Sequence, residues 1–161
     1  MKKYNKCSQF SLPCAFPIPP VTPKAFTETS SFAANTTGPT INVIVLGTIV
    51  PLPNFQTLSG GITVNAANTI FTVPNTGRYF IDYQIRLTAG ALVGSRLLIN
   101  GSPNTPSTVF DAVNVTSSLE NSIILPLNAG DTISLQLFGL LAAVLLLPGT
   151  VGATLTIIQI S

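Results

Sequence analysis

The stretch GLLAAVLLLPG, Gly139–Gly149, decides the fold class of this chain. No side chain from Leu140 to Pro148 can form a hydrogen bond, and the mean hydropathy of the whole chain is +0.53. A transmembrane helix needs about 20 consecutive apolar residues, but this run stops at Pro148-Gly149. The sequence therefore predicts that the segment does not span a membrane. It is either a buried helix or a strand covered on both faces.

The residues around this run favour the strand. Leucine and alanine favour helix, but glycine and proline bracket a short run and its surroundings are β-branched. A strand of a two-layer sandwich needs only one apolar face, whereas this run and Ile41–Val50 are apolar on both. Because large exposed apolar patches are rare on soluble monomers, we expect a subunit interface on the second faces. Its predicted residues are Ile44, Leu46, Leu141, Leu145 and Leu147.

The remainder of residues 41–161 predicts an all-β domain of short strands and turns. The clearest strand is YFIDYQIRLT, Tyr79–Thr88, in which apolar and polar residues alternate with a period of two. Asn100-Gly101 predicts a tight hairpin, because both residue types tolerate positive φ. GATLTIIQIS, Gly152–Ser161, is a β-branched strand. These patterns indicate a β-sandwich.

Residues 1–40 predict an extended arm instead of a core segment. They contain both cysteines, all four lysines and the proline-rich stretch CAFPIPPVTP, Cys14–Pro23, which favours polyproline II. The predicted boundary lies near Gly38-Pro39, so deletion of residues 1–38 is expected to leave a folded body. The basic start lacks the apolar run of a signal peptide. We therefore expect no signal peptide.

The composition excludes most catalytic chemistry. The chain has no histidine, and residues 41–161 have no lysine or cysteine and only four acidic residues, far apart in sequence. Proton transfer near neutral pH and nucleophile activation therefore lack their usual partners. Zinc sites need histidine or clustered cysteine, and a net charge of +2 is too small to indicate nucleic-acid binding. We expect no enzyme, no cofactor and no metal site.

Cys7 and Cys14 are the one reactive pair. In a reducing compartment two cysteines are usually reduced, but a cysteine in an exposed arm has no packing role. Three states remain open from the sequence: free thiols, a bridge within the arm, and cross-links between chains.

Two further stretches resemble a known family. FTVPNTGRYFIDYQI, Phe71–Ile85, and LNAGDTISLQL, Leu127–Leu137, resemble strands of the complement-globular/TNF-like jelly roll. The leucine- and alanine-rich end is similar to the C-terminal domains of Bacillus collagen-like exosporium glycoproteins. The resemblance implies a trimeric jelly roll over residues 41–161. The five apolar interface residues would then lie in the trimer interface.

The arm extends this resemblance. AFPIPPVTP, Ala15–Pro23, is similar to the leader that attaches those glycoproteins to spores, and TGPT, Thr37–Thr40, resembles one unit of their collagen stalk. No Gly-X-Y repeat follows, so the chain looks more like a subunit of thin (F-type) endospore appendage fibres. The resemblance implies a spore-surface location after mother-cell release, with further copies and anchor and tip proteins as partners. The residues expected to dock on the next trimer are Phe16, Pro17, Ile18, Pro19, Pro20 and Phe26.

A different function class stays open beside the fibre. The domain could be a trimeric tip that binds a glycan or receptor and is attached through its leader. Such a site needs aromatic or charged anchors. Residues 41–161 have no tryptophan and only Tyr79 and Tyr83, both on the inward face of one predicted strand. This composition favours the structural function.

Overall fold

The computed structural model describes residues 28–140 and 142–161, which are folded as β-structure with one complete 3₁₀ turn. The docking residues of the arm, both cysteines and Leu141 lie outside the described residues. In chain order the elements are β1 Ser30–Asn35, β2 Thr40–Val43, β3 Thr48–Ile49, β4 Asn54–Leu58, β5 Thr63–Val64, β6 Phe71–Thr72, β7 Gly77–Ala91, β8 Val93–Ile99, β9 Ser102–Pro103, the 3₁₀ helix Thr105–Ser107, β10 Thr116–Leu127, β11 Thr132–Gly139, β12 Ala142–Leu145 and β13 Ala153–Gln159.

One layer is an antiparallel five-stranded sheet in the order β10-β7-β13-β1-β4. Its longest strand, β7, contains the predicted alternating stretch. Tyr79, Ile81, Tyr83 and Ile85 are fully buried on one side of β7, as the period of two predicts.

The second layer follows the order β5-β6-β11-β8-β9, with β3 paired to β11. Its buried side chains include Leu97, Ile133, Leu135 and Leu137, which join the residues of β7 in a single core. Two antiparallel sheets packed around one core form the sandwich that the sequence predicts.

The two runs that are apolar on both alternating faces, Gly139–Leu147 and Ile41–Val50, have different structures. Gly139–Leu147 contains β12, so the strand interpretation is confirmed against the helix. Ile41–Val50, by contrast, is not a single strand. β2 ends at Val43 and a turn follows it. In this turn Gly47 has a φ of 93°, and the amide of Gly47 donates to the carbonyl of Ile44 (2.8 Å). Since Thr40 and Asn42 are exposed, β2 has only one apolar face.

The start of the sandwich also differs from the predicted boundary. The sequence places it at residue 41, but β1 lies between β13 and β4 and pairs with both. Ala33, Ala34 and Asn35 are buried, and the Asn35 side-chain amide donates to the carbonyl of Pro51 (2.8 Å). Residues 30–35 therefore belong to the folded body.

The predicted hairpin at Asn100-Gly101 is confirmed. It joins β8 to β9, and both residues have positive φ, 52° and 77°. The Asn100 side chain also ties this turn to the neighbouring one: Oδ1 accepts from the amide of Thr132 (2.8 Å) and Nδ2 donates to Asp131 Oδ1 (2.8 Å). One side chain thus fixes two turns.

The hydrogen bonds of Asp131 predict that the stability of the fold decreases at acidic pH. Hydrogen bonds from Asn100 and from the amide of Asn128 hold the pKa of this carboxyl below its ordinary value. A lowered folded-state pKa stabilises the fold above the unfolded pKa, and this contribution is lost as pH falls. We expect the melting temperature to decline below about pH 4. Melting curves of Asp131→Asn should start from a lower melting temperature at neutral pH and show a smaller acid decline. An equal decline in both proteins would contradict the assignment.

Candidate functional site

The titratable side chains of the body do not converge on a reactive centre. No group of three or more His, Cys, Asp or Glu side chains in residues 28–140 and 142–161 could hold a metal ion. Burial raises the pKa of Tyr79 and Tyr83, and their hydroxyls donate to the carbonyls of Asn75 (2.8 Å) and Ser107 (2.6 Å). Both tyrosines therefore act as structural hydrogen-bond donors. In the same part of the chain, no helix is long and apolar enough to cross a bilayer.

Instead, no other described element covers one face of the five-stranded sheet, and this face carries a row of large apolar side chains among polar ones. Strand register brings Ile124, Phe80 and Ile158 into one row across β10, β7 and β13, on the side that faces away from the core. Phe32 of β1 lies on the same side. We call this surface the outer face; it comprises Phe32, Arg78, Phe80, Asp82, Gln84, Arg86, Glu120, Ser122, Ile124, Thr154, Thr156 and Ile158.

Polar side chains occupy the middle of the outer face. Asp82 accepts a hydrogen bond from the hydroxyl of Ser122, and Glu120 accepts one from Gln84 Nε2 at 2.8 Å. Both carboxylates thus bind neutral partners within the chain. Among the described residues, no arginine lies within 4.0 Å of a carboxylate oxygen.

Two of the predicted interface residues extend the outer face. Leu146 pairs with Leu87 of β7, and the amide of Leu147 donates to the carbonyl of Arg86 (3.1 Å). This pairing puts Leu147 beside Arg86. Leu145 also points outward and is 39% exposed, while Leu146 is fully buried. The last residues of this apolar run therefore lie at the outer face.

The other described interface residues lie elsewhere. Ile44 and Leu46 lie in the turn between β2 and β3, where the carbonyl of Leu46 accepts from Gln136 Nε2 (3.3 Å). The loops at this end carry eight of the thirteen exposed large apolar side chains of the described residues. We call this end of the sandwich the apolar end; its exposed side chains are Ile44, Val45, Leu46, Leu92, Phe110, Val113, Val115 and Leu140.

The loops of the apolar end are packed against the strands of the second layer. The rings of Phe110 and Phe138 are 5.4 Å apart, and the Arg96 guanidinium lies 4.4 Å from the Phe138 ring centroid. A Cβ at Gly139 would come within 2.7 Å of the carbonyl oxygen of Leu92, so glycine permits this close approach. The exposed apolar side chains of this end therefore lie on loops that are held against the sheet.

The arm joins the body at the opposite end of the sandwich. Ser30 pairs with Ile158 at the level of Phe80, near the start of β7, and β1 runs from there toward the level of Ile85. The apolar end lies beyond Ala91, where β7 ends. Residues 1–27 thus attach at the end of the sandwich away from the apolar end.

Comparisons with known proteins agree with this architecture. Residues 31–161 match the family model of the BclA C-terminal domain. This chain belongs to the BclA C-terminal domain family. The match confirms the predicted resemblance to the C-terminal domains of collagen-like exosporium glycoproteins. It begins within β1, as the structure of the body requires. No curated protein sequence matches the chain.

Solved structures confirm the jelly-roll fold of this BclA C-terminal domain. Two crystal structures of murine APRIL, at pH 8.5 and pH 8.0, are similar to it with TM-scores of 0.56. Their sequences are 20% and 18% identical, and each match covers 82% of this chain and 100% of the APRIL chain. Pika GITRL is also similar, with a TM-score of 0.48, 15% identity and coverage of 82% and 96%. The two APRIL matches, with TM-scores above 0.5, show that the sandwich is a TNF-like jelly roll.

Proposed function

We propose that this protein is a self-assembling structural subunit of a spore-surface fibre. The body forms a homotrimer, and the arm of each chain docks on the next trimer. The observation that carries this proposal is that the two ends of the body differ. The arm attaches at one end, and most of the exposed large apolar side chains of the described residues lie at the other. A subunit with a connector at one end and an apolar surface at the other suits head-to-tail growth.

The outer face supports the trimer. The row of Phe80, Ile124 and Ile158 is only partly buried by the described residues, so contact with further copies would remove more apolar area from water, at about 25 cal/mol per Å². Leu145 and Leu147 enlarge this surface. Each copy uses two different parts of the surface for its two neighbours, so rotation by a third of a turn closes the assembly.

The arm provides the second contact that a fibre requires. Its docking segment Phe16–Pro20, with Phe26, is apolar and proline-rich. An already extended peptide loses less conformational entropy on binding than a flexible one. We propose the apolar end as the surface that receives it. Four lysines give residues 1–27 a charge of +4, while residues 28–161 carry three arginines and five acids, or −2. This asymmetry adds weak attraction between arm and body.

Further parts of the proposal concern the fibre as a whole. Cys7 and Cys14 are placed in the arm, where oxidation outside the reducing cell would cross-link successive trimers. Anchor and tip proteins of the spore surface are the proposed partners at the two fibre ends. We propose no catalytic role.

The docking segment gives the direct test. Phe16→Ala combined with Ile18→Ala is expected to abolish filaments and leave trimers intact, because it removes the two largest apolar side chains of the segment. Negative-stain electron microscopy and sedimentation measure the two properties. Ser8→Ala with Ser11→Ala is the matched control in the same arm and should still form filaments. Normal filaments from the Phe16/Ile18 variant would overturn the docking mechanism.

The binding-tip alternative has less support. Tyr79 and Tyr83, the tyrosines of the body, are both fully buried, so neither can stack against a sugar or a receptor. Filaments of the purified protein would favour the fibre, and discrete trimers would favour the tip.

A further inference from the structure

The charged residues that β7 contributes to the outer face are spaced so that they do not neutralise one another within one chain. Arg78, Asp82 and Arg86 all point outward from β7, four residues apart. A strand rises about 3.3 Å per residue, which separates successive charges by about 13 Å. Along this strand the sequence of charges is therefore plus, minus, plus, with each charge isolated from the next.

Glu120 adds a fourth charge from the neighbouring strand. It lies opposite Gln84 in the β10–β7 register and accepts a hydrogen bond from it. Asp82 is bound in the same way by Ser122. Two of the three arginines and two of the four acids of residues 41–161 thus share one sheet face. This concentration is notable because only 7% of the chain is charged.

Burial of this face would be costly against an uncharged partner. A desolvated charge without a counter-ion destabilises a complex, whereas the attraction within a paired and hydrogen-bonded charge offsets much of the desolvation cost. A second copy of the same chain offers equal numbers of carboxylates and guanidinium groups. The apolar neighbours of the charges, Phe80 and Leu147, would exclude water from such pairs. The balance of charge therefore favours another copy as the occupant of this surface.

We infer that Asp82 and Glu120 of one copy pair with Arg78 and Arg86 of the next, and that these ion pairs fix the register of the trimer. The inference rests on the proposed self-association and names the contacts that make the arrangement of the copies specific. Apolar contact alone tolerates sliding of one sheet face over another. Alternating charges allow only arrangements in which each carboxylate meets an arginine.

Charge reversal in the full-length chain tests the inference. Arg78→Glu with Arg86→Glu, and separately Asp82→Arg with Glu120→Arg, should each weaken association about a hundredfold or more, measured by sedimentation of dilution series. Reversal of all four residues in one chain should restore association to within about tenfold of the original protein, because every pair is re-formed with exchanged signs. The fourfold variant keeps the net charge of the original protein, so its restored association shows that these charges act on assembly, and a separate comparison must show that their positions matter.

A single-site comparison separates position from net charge. Glu120→Arg and Glu28→Arg change the net charge equally, but Glu28 is exposed and precedes β1, outside the strands that form the outer face. Only Glu120→Arg should weaken association. Equal effects of the two variants would overturn the inference, as would reversed pairs that associate normally or a fourfold variant that folds but stays dissociated.

If the fourfold variant does not fold, the salt dependence of the dissociation constant of the unmodified protein tests the inference. Inter-copy ion pairs predict a dissociation constant that rises about tenfold between about 0.05 and 0.5 M NaCl, and a constant value would overturn the inference. A chain that is monomeric under all these conditions would instead contradict the proposed function. A stable trimer that is indifferent to charge reversal would contradict only the ion pairs.

Discussion

A chain that begins at Glu28 is expected to fold into the complete sandwich, whereas a chain that begins at Pro39 is expected to be unfolded or aggregated. The longer deletion removes β1, whose six residues pair with β13 and whose other edge pairs with β4. Domains have net stabilities of about 5–15 kcal/mol, and each backbone hydrogen bond contributes about 1 kcal/mol. Loss of a strand from inside the sheet therefore removes as much free energy as the net stability of the body.

Circular dichroism and thermal unfolding of the two truncated chains measure this difference. The chain without residues 1–27 should show the β-signal and melting temperature of the full-length protein. Removal of β1 also exposes the edge of β13, an apolar strand that would pair with other chains. A soluble, cooperatively melting chain without residues 1–38 would restore the boundary expected from the sequence.

The substitution Leu145→Lys is expected to give a folded body that no longer self-associates. Leu145 points outward and is 39% exposed, so the single chain tolerates a lysine there. In the proposed trimer the ammonium group would be buried without a partner, which costs several kcal/mol. A loss of about 3 kcal/mol corresponds to a weakening of more than a hundredfold. Sedimentation and thermal unfolding measure the two effects separately.

The neighbouring residue provides the matched control. Val144 is 5% exposed and points into the core, so Val144→Lys should unfold the chain instead of dissociating it. Phe80→Lys, in the central row of the outer face, should behave like Leu145→Lys. Undisturbed trimers of both outer-face variants would show that self-association uses another surface.

Local sequence patterns predicted much of this fold. The alternation in Tyr79–Thr88 identified β7, because a half-buried strand must show a period of two. Asn100-Gly101 identified its hairpin, because positive φ at two successive positions requires such residues. The glycine and proline around Leu140–Leu147 correctly favoured a strand over a helix. Each of these features depends on residues adjacent in sequence.

Features that depend on distant pairing were missed. β1 has the sequence SSFAAN, which is short and has little apolar bulk, and its place in the sheet comes from β13, more than a hundred residues later. In Ile41–Val50 the apolar content hid a turn at Gly47, because apolar side chains also occupy the exposed turn. Composition alone does not distinguish an apolar strand from an apolar loop.

The predicted interface residues do not all lie on one surface, and their separation also depends on distant pairing. Leu145 and Leu147 border the outer face, but Ile44 and Leu46 lie at the apolar end. Phe80 was overlooked although it sits on the polar side of the alternating strand, where a large aromatic residue is out of place. Ile124 and Ile158 join it only through strand register. The row across three strands is therefore a property of the folded sheet.

The position of β1 inside the sheet has a mechanical consequence for a chain that is pulled through its arm. A force applied at residue 28 acts along β1, which is hydrogen-bonded to β13 on one edge and to β4 on the other. Such a force loads both rows of bonds in shear, so that they must yield together. A terminal strand at the edge of a sheet would be peeled away one bond at a time. Resistance to forced unfolding is set by the unfolding rate, and attachment through an inner strand slows that rate under tension.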